Sequence, residues 1–180
     1  AVERLEGVRA GIEDALRAAG HTVQRQSGTA LGIDLCQALQ PLADEVPAIL
    51  PEVPLGVVFD AEHLRRVLVN LLDNAKRHAS GAAGSIEIRV DSRDETRVYL
   101  CVSSDGPRIP PDVERYLFEP FFSTRSRGTG LGLYICRELC ERYGASIDYR
   151  LRQSIGGERN EFFVAMRRRA LTPLDASAAA

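Results

Sequence analysis

Residues 60–78 read DAEHLRRVLVNLLDNAKRH, and this stretch orders the rest of the chain around itself. Leu64, Val67, Leu68, Leu71 and Leu72 recur at three- and four-residue spacing, so one face of a long helix is apolar. Asp60 is placed to cap that helix, with Glu62 in its first turn. A second stripe collects Asn70, Asn74, Arg77 and His78 at the same spacings. Amide oxygens can complete an octahedral Mg²⁺ shell, and Arg meets phosphate oxygens, so the stripe suits a magnesium-bound phosphate chain. From composition alone a solvated polar face is the favoured reading.

Working upstream, Leu55–Phe59 is a short apolar strand candidate. Before it, DLCQALQPLADEV follows a short strand or helix start at Ile33 and reads as helix until the prolines at 47, 51 and 54. Residues 3–19, with Leu5, Val8, Ile12 and Leu16, form a separate helix, joined by the polar stretch His21–Thr29. Downstream, SIEIRV (85–90) and RVYLCV (97–102) alternate across DSRDET, the pattern of a hairpin. A turn from Ser104 to Pro110, a short helix around 111–117 and the irregular FEPFFSTRSRGTG follow. Leu131–Tyr143 is helical, sampled by Leu131, Tyr134, Ile135, Leu139 and Arg142, and strands at about 146–152 and 159–167 close the fold. The expected architecture is α+β: a two-layer sandwich with a mixed, mainly antiparallel sheet and helices on one face. Its divisions are a helix and linker over 1–30, the domain over 31–168 and a disordered tail over 169–180.

The 180 residues suit one hydrophobic core, and 44% hydrophobic with 27% charged residues is ordinary globular composition. A net charge of -2 and a pI near 6.0 give nucleic acid no electrostatic footing. No apolar run approaches the roughly 20 residues that span a bilayer, and AVERLEGVRAG lacks a signal-peptide centre. The expectation is a soluble cytoplasmic piece with no membrane contact of its own, or the cytoplasmic part of an inner-membrane receptor. None of Cys36, Cys101, Cys136 and Cys140 makes a C-x-x-C pair. Cys136 and Cys140 share a helix face, where metal binding or oxidation is conceivable, but small buried hydrophobes in a reducing cytosol is the simpler reading.

Gly128-Thr-Gly130-Leu-Gly132-Leu opens the helix after the irregular segment, preceded by Arg125 and Arg127. Alternating glycines let backbone approach a ligand, and free N–H groups at a helix start bind anions. Ordinary loop-to-helix turns use such glycines too. Taken with NLLDNAKRH, the turn at Ser104–Pro110 and FEPFFST, this run resembles the N, G1, F and G2 boxes of histidine kinase catalytic domains, in order and separation. The likeness covers about 31–168 and leans toward the type IV pilus and nitrogen-regulation sensor kinases. That family shares its ATP-binding fold with type II topoisomerases, Hsp90 and MutL. The resemblance implies ATP and Mg²⁺ as cofactors, with Asn74 as metal ligand and Asn70 assisting. It places Arg77 on the phosphates and His78 in the pocket. Arg125, Gly128 and Thr129, with the backbone around Gly130, Leu131 and Gly132, would hold phosphates beneath a lid over about 119–129, anchored by Phe118, Phe121 and Phe122. The hydrolysing relatives carry a glutamate at position 70 to activate water; an amide cannot take that proton, so Asn70 implies phosphotransfer.

The G1 box departs from its family. Ser104 stands where the resemblance places an aspartate that accepts from the adenine amino group, and Arg108 replaces a glycine. Asp105 would point the other way in an extended segment, while Gly106 and Ile109 match the box. Losing a charge-assisted hydrogen bond costs about 1.5–3 kcal/mol, roughly tenfold to hundredfold in affinity. Arg108 could offset part of that by meeting phosphate. No substrate histidine is recognisable, since the TVQRQSG after His21 does not fit the phosphoacceptor pattern and His63 belongs to the long helix. The resemblance therefore implies an upstream histidine-bearing dimerisation domain, of which 3–19 is the expected end, a response regulator downstream, and a monomeric fragment. Two functions stay open: a protein-histidine kinase catalytic domain, or a degenerate domain with weak or no ATP binding that regulates.

Overall fold

The computed structural model describes residues 32–43, 46–123 and 129–171. The expected helix over 3–19, the centre of the lid with Arg125 and Gly128, and the tail from 172 lie outside the described residues.

In chain order the elements are β1 (Gly32–Asp34), α1 (Leu35–Ala43), β2 (Ala48–Ile49), β3 (Gly56–Val58), α2 (Ala61–His78), β4 (Ile86–Asp91), β5 (Arg97–Ser104), α3 (Pro111–Glu114), α4 (Gly132–Arg142), β6 (Ser146–Ser154) and β7 (Gly157–Arg167). Five strands form one sheet in the order β2-β4-β5-β7-β6. It is antiparallel throughout except where β2 runs parallel to β4. β1 and β3 make a separate antiparallel pair, attached through a bridge from Val57 to Arg168. The helices cover one face of the large sheet, giving the expected two-layer α+β arrangement.

The alternation of side chains along each strand sorts the two faces. Ile88, Val98, Leu100, Val102, Val164 and Met166 turn toward the helices and are almost fully buried. They meet Leu64, Val67, Leu68, Leu71, Leu72 and Ala75 of α2. Each such side chain taken from water contributes about 1.5–3 kcal/mol. Asp60 caps α2 as expected, its Oδ1 accepting from the His63 amide at 2.9 Å. Lys76, Arg77 and His78 sit in the last turn, where the helix dipole favours cations. On α4 the buried face falls on Cys136, Leu139 and Cys140, while Tyr134 and Ile135 are only half-buried. The two cysteines are free thiols at zero exposure, and burial raises both pKa values, that of Cys140 to about 12.

The opposite sheet face is polar. Glu161 has no exposed surface, because Arg89 (3.2 Å), Arg150 (Nε, 2.7 Å) and Arg152 (Nε, 3.0 Å) close around its carboxylate. Arg150 also stacks on Phe163, 4.7 Å from the ring centroid. A buried charge is tolerable here because the partners' guanidinium groups replace its water.

Residues 169–171, at the start of the expected tail, pack against β3. The Arg169 amide donates to the Gly56 carbonyl at 2.9 Å, and a Cβ on Gly56 would lie 3.0 Å from Leu171. Pairing with β3 therefore carries order past the end of β7.

Candidate nucleotide site

Where α2 and the start of α4 rise away from the ends of β5 and β7, a cavity of about 510 Å³ opens, a common size for a small-molecule site. One wall is the polar stripe of α2: Asn70, Asn74, Arg77 and His78 line the cavity together. Asp73 joins them, although the sequence reading had not singled it out. Asn70 donates through Nδ2 to the Arg66 carbonyl one turn back, at 3.0 Å, which leaves its Oδ1 as an acceptor. A Cβ on Gly132 would come within 3.2 Å of that oxygen, so α4 begins directly against Asn70.

The second wall is the glycine run. Thr129, Gly130 and Gly132 all line the cavity. Gly130 has φ +65°, and a Cβ there would meet the Phe121 carbonyl carbon at 2.5 Å and the Phe122 amide at 2.7 Å. Only glycine satisfies both the backbone and the space, which locks the run onto the FEPFF segment. No side chain caps α4; Thr129 Oγ1 instead accepts weakly from the Leu131 amide at 3.4 Å. A helix start without a side-chain cap is of the kind that binds anions through its backbone N–H groups. Leu131 itself is buried and does not line the cavity.

The floor is the end of β5 and the turn after it. Ser104, Arg108 and Ile109 line the cavity; Asp105 and Gly106 do not. Asp105 points away, accepting from the Ser80 amide at 2.9 Å and the Ser80 hydroxyl at 2.6 Å. Those two bonds, the hydroxyl's first, hold its carboxyl below the usual pKa. Gly106 lies against the end of α2: a Cβ there would sit 2.3 Å from the His78 carbonyl. The turn is fastened from β7 by Asn160, a residue the sequence reading passed over. Asn160 Nδ2 donates to the Gly106 and Pro107 carbonyls at 2.9 and 3.0 Å. Its Oδ1 accepts from the Ile109 amide at 3.4 Å and the Tyr149 hydroxyl at 2.8 Å.

The donor set fits the expected ligands. Among the described residues no three His, Cys, Asp or Glu gather as a metal cage. Mg²⁺ does not need one, since it is usually held by one or two protein oxygens together with phosphates and water. The side-chain oxygens of Asn70 and Asn74 are of that kind, while Arg77 carries donors suited to the phosphates. Among the described residues no helix is long and apolar enough to cross a membrane.

Comparisons with known proteins agree with this arrangement. The family described as histidine kinase-, DNA gyrase B- and HSP90-like ATPase matches residues 59–169. Sensor protein kinase PilS of Pseudomonas aeruginosa is 41% identical over 139 residues, 69% of this chain and 26% of PilS. Sensory histidine kinase/phosphatase NtrB of Salmonella typhimurium is 29% identical over 138 residues, 72% of this chain and 38% of NtrB. The chain thus spans well under half of either relative. The catalytic domain of histidine kinase ThkA, solved nucleotide-free, superposes with a TM-score of 0.62 at 27% identity, covering 78% of this chain and 97% of that one. With its sheet, its α2 stripe and its glycine run in these places, the chain belongs to the histidine kinase-, DNA gyrase B- and HSP90-like ATPases, as the ATP-binding catalytic domain of a sensor histidine kinase.

Proposed function

We propose that the cavity holds Mg²⁺–ATP and that the domain passes the γ-phosphoryl group to a histidine on a separate dimerisation domain upstream, from which a response regulator takes it. The observation that carries this reading is the α2 stripe lining one cavity with the start of α4. Asn74 and Asn70 offer amide oxygens to the metal, and Arg77 offers donors to phosphate. His78 lines the same wall, and the start of α4, which no side chain caps, faces it across the cavity with Gly132 and Leu133 in the lining. Arg125 and Gly128 are assigned to the phosphates by the family motif. Bound nucleotide supplies the phosphoryl group, and its metal offsets the charge that develops in transfer. Asn70, donating to its own helix and carrying no proton acceptor of carboxylate strength, favours transfer to an incoming imidazole over activation of water.

Calorimetric titration with Mg²⁺ and the non-hydrolysable analogue AMPPNP is the test. Heat is expected, and Asn74→Ala should weaken binding about tenfold to hundredfold, as loss of an interaction with a charged group does. No heat at millimolar analogue would leave the domain a regulatory module instead.

A further inference from the structure

Ser104, the last residue of β5, is 6% exposed and lines the cavity, and its hydroxyl makes no hydrogen bond to any described residue. Its polar neighbours are committed elsewhere. Asn160 stands directly across the β5–β7 ladder, and all four of its amide hydrogen-bonding positions are filled by Gly106, Pro107, Ile109 and Tyr149. The Asp105 carboxylate is held outside by Ser80. Of β5 and the turn after it, the polar side chains that line the cavity are the Ser104 hydroxyl and Arg108.

Ile109, Val113, Leu117, Leu133 and Phe162 line the same cavity as that hydroxyl. An apolar slot with one buried polar group suits a flat heteroaromatic ring whose edge is read at a single point. The chemistry of that point decides which ring. A carboxylate only accepts, so it selects a base edge that donates. A hydroxyl rotates, donating one hydrogen bond or accepting others. Adenine presents an amino donor where guanine presents the O6 acceptor, with N7 accepting in both. The Ser104 hydroxyl can accept from the first or donate to the second. Arg108, with donors alone, adds nothing for the amino group and can serve O6 or N7.

We propose that this is a purine nucleoside triphosphate site without adenine selectivity, taking GTP as well as ATP, and that Ser104 sets this property. The proposal rests on the nucleotide reading given above.

Parallel titrations of the 180-residue chain with Mg²⁺–AMPPNP and Mg²⁺–GMPPNP test it. Dissociation constants within about threefold of each other are expected. Ser104→Ala should weaken both analogues by a similar factor, about three- to tenfold, the worth of one ordinary hydrogen bond. Ser104→Asp, an acceptor alone, should favour AMPPNP by about tenfold or more. A tenfold adenine preference in the unaltered chain overturns the proposal, as does Ser104→Ala binding both analogues unchanged. Should the aspartate variant fail to fold, the parent ratio and the alanine variant still decide. Silence of both analogues at millimolar concentration is a different result, which removes the nucleotide reading and this proposal with it.

Discussion

The two ends of the cavity are built by different means. At the end proposed for the phosphates Asn70, Asn74, Arg77 and His78 ride on one 18-residue helix, so their relative positions follow from helical geometry alone. At the end proposed for the base Ser104, Arg108 and Ile109 sit on a strand end and a turn, and that turn is held by Asn160, 51 to 54 residues further along the chain. The α2 part of the first end is fixed locally, within one helix. The second depends on a side chain from another strand. A turn fastened through its backbone carbonyls and amide tolerates changes in its own side chains, those at Ser104 and Arg108 included.

Removing the fastening should separate the ends most clearly. In Asn160→Ala, the Gly106 and Pro107 carbonyls, the Ile109 amide and the Tyr149 hydroxyl lose their partner together. Several of these groups can turn to cavity water, so we expect a loss of about 2–4 kcal/mol in urea unfolding, not the full sum of unsatisfied groups. Hydrogen exchange should accelerate in 104–110 while the amides of α2 keep their protection. Equal loss of protection in α2 would mean that the two ends are one cooperative unit and that the contrast drawn here fails.

A milder cut tests the outer link of the same chain. Tyr149→Phe removes the hydroxyl that Asn160 Oδ1 accepts from, leaving the ring against Phe162 with centroids 5.3 Å apart. A loss of about 1 kcal/mol is expected, with nucleotide affinity reduced through the base and not through the metal. The check is a Mg²⁺-dependence of AMPPNP binding identical in shape to that of the parent. A changed Mg²⁺ dependence would place Tyr149 in communication with the α2 stripe.

The same contrast explains what could be read from the sequence. The α2 face, its Asp60 cap and the β4–β5 hairpin were legible because 3.6- and 2-residue periods are written locally. That Asn70, Asn74, Arg77 and His78 share one stripe followed from the same period, while a phosphate role for them came only with the family resemblance. The two-residue β2 strand has no period to read, and its parallel pairing with β4 comes from a distant segment. The β1–β3 pair was invisible as a separate sheet for the same reason. Asn160 did leave a signal: it shares the parity of Phe162, Val164 and Met166, so a polar side chain had to lie on the buried face of β7. A buried amide needs partners, and that alone marked it as a residue holding something in place. Which turn it held depended on the fold.

The smallest expected effect lies on the strap that joins the two ends. Asp105 leaves the turn of the base end and accepts two hydrogen bonds from Ser80, just past the C-terminus of α2. These bonds favour the charged carboxylate, so the folded-state pKa is depressed. A depressed carboxylate pKa contributes stability above the unfolded value of about 3.9, and that contribution disappears as pH falls through the folded value. Because Asp105 is exposed, the whole contribution should stay under about 1 kcal/mol. The difference in unfolding free energy between the parent and Asp105→Asn should accordingly be flat from neutral pH down to about pH 5, then narrow below about pH 4 as the parent loses its charge. A difference that instead grows on acidification would mean that Asp105 strains the turn, and the two ends would then be held together by Gly106 seated under the His78 carbonyl and not by this carboxylate.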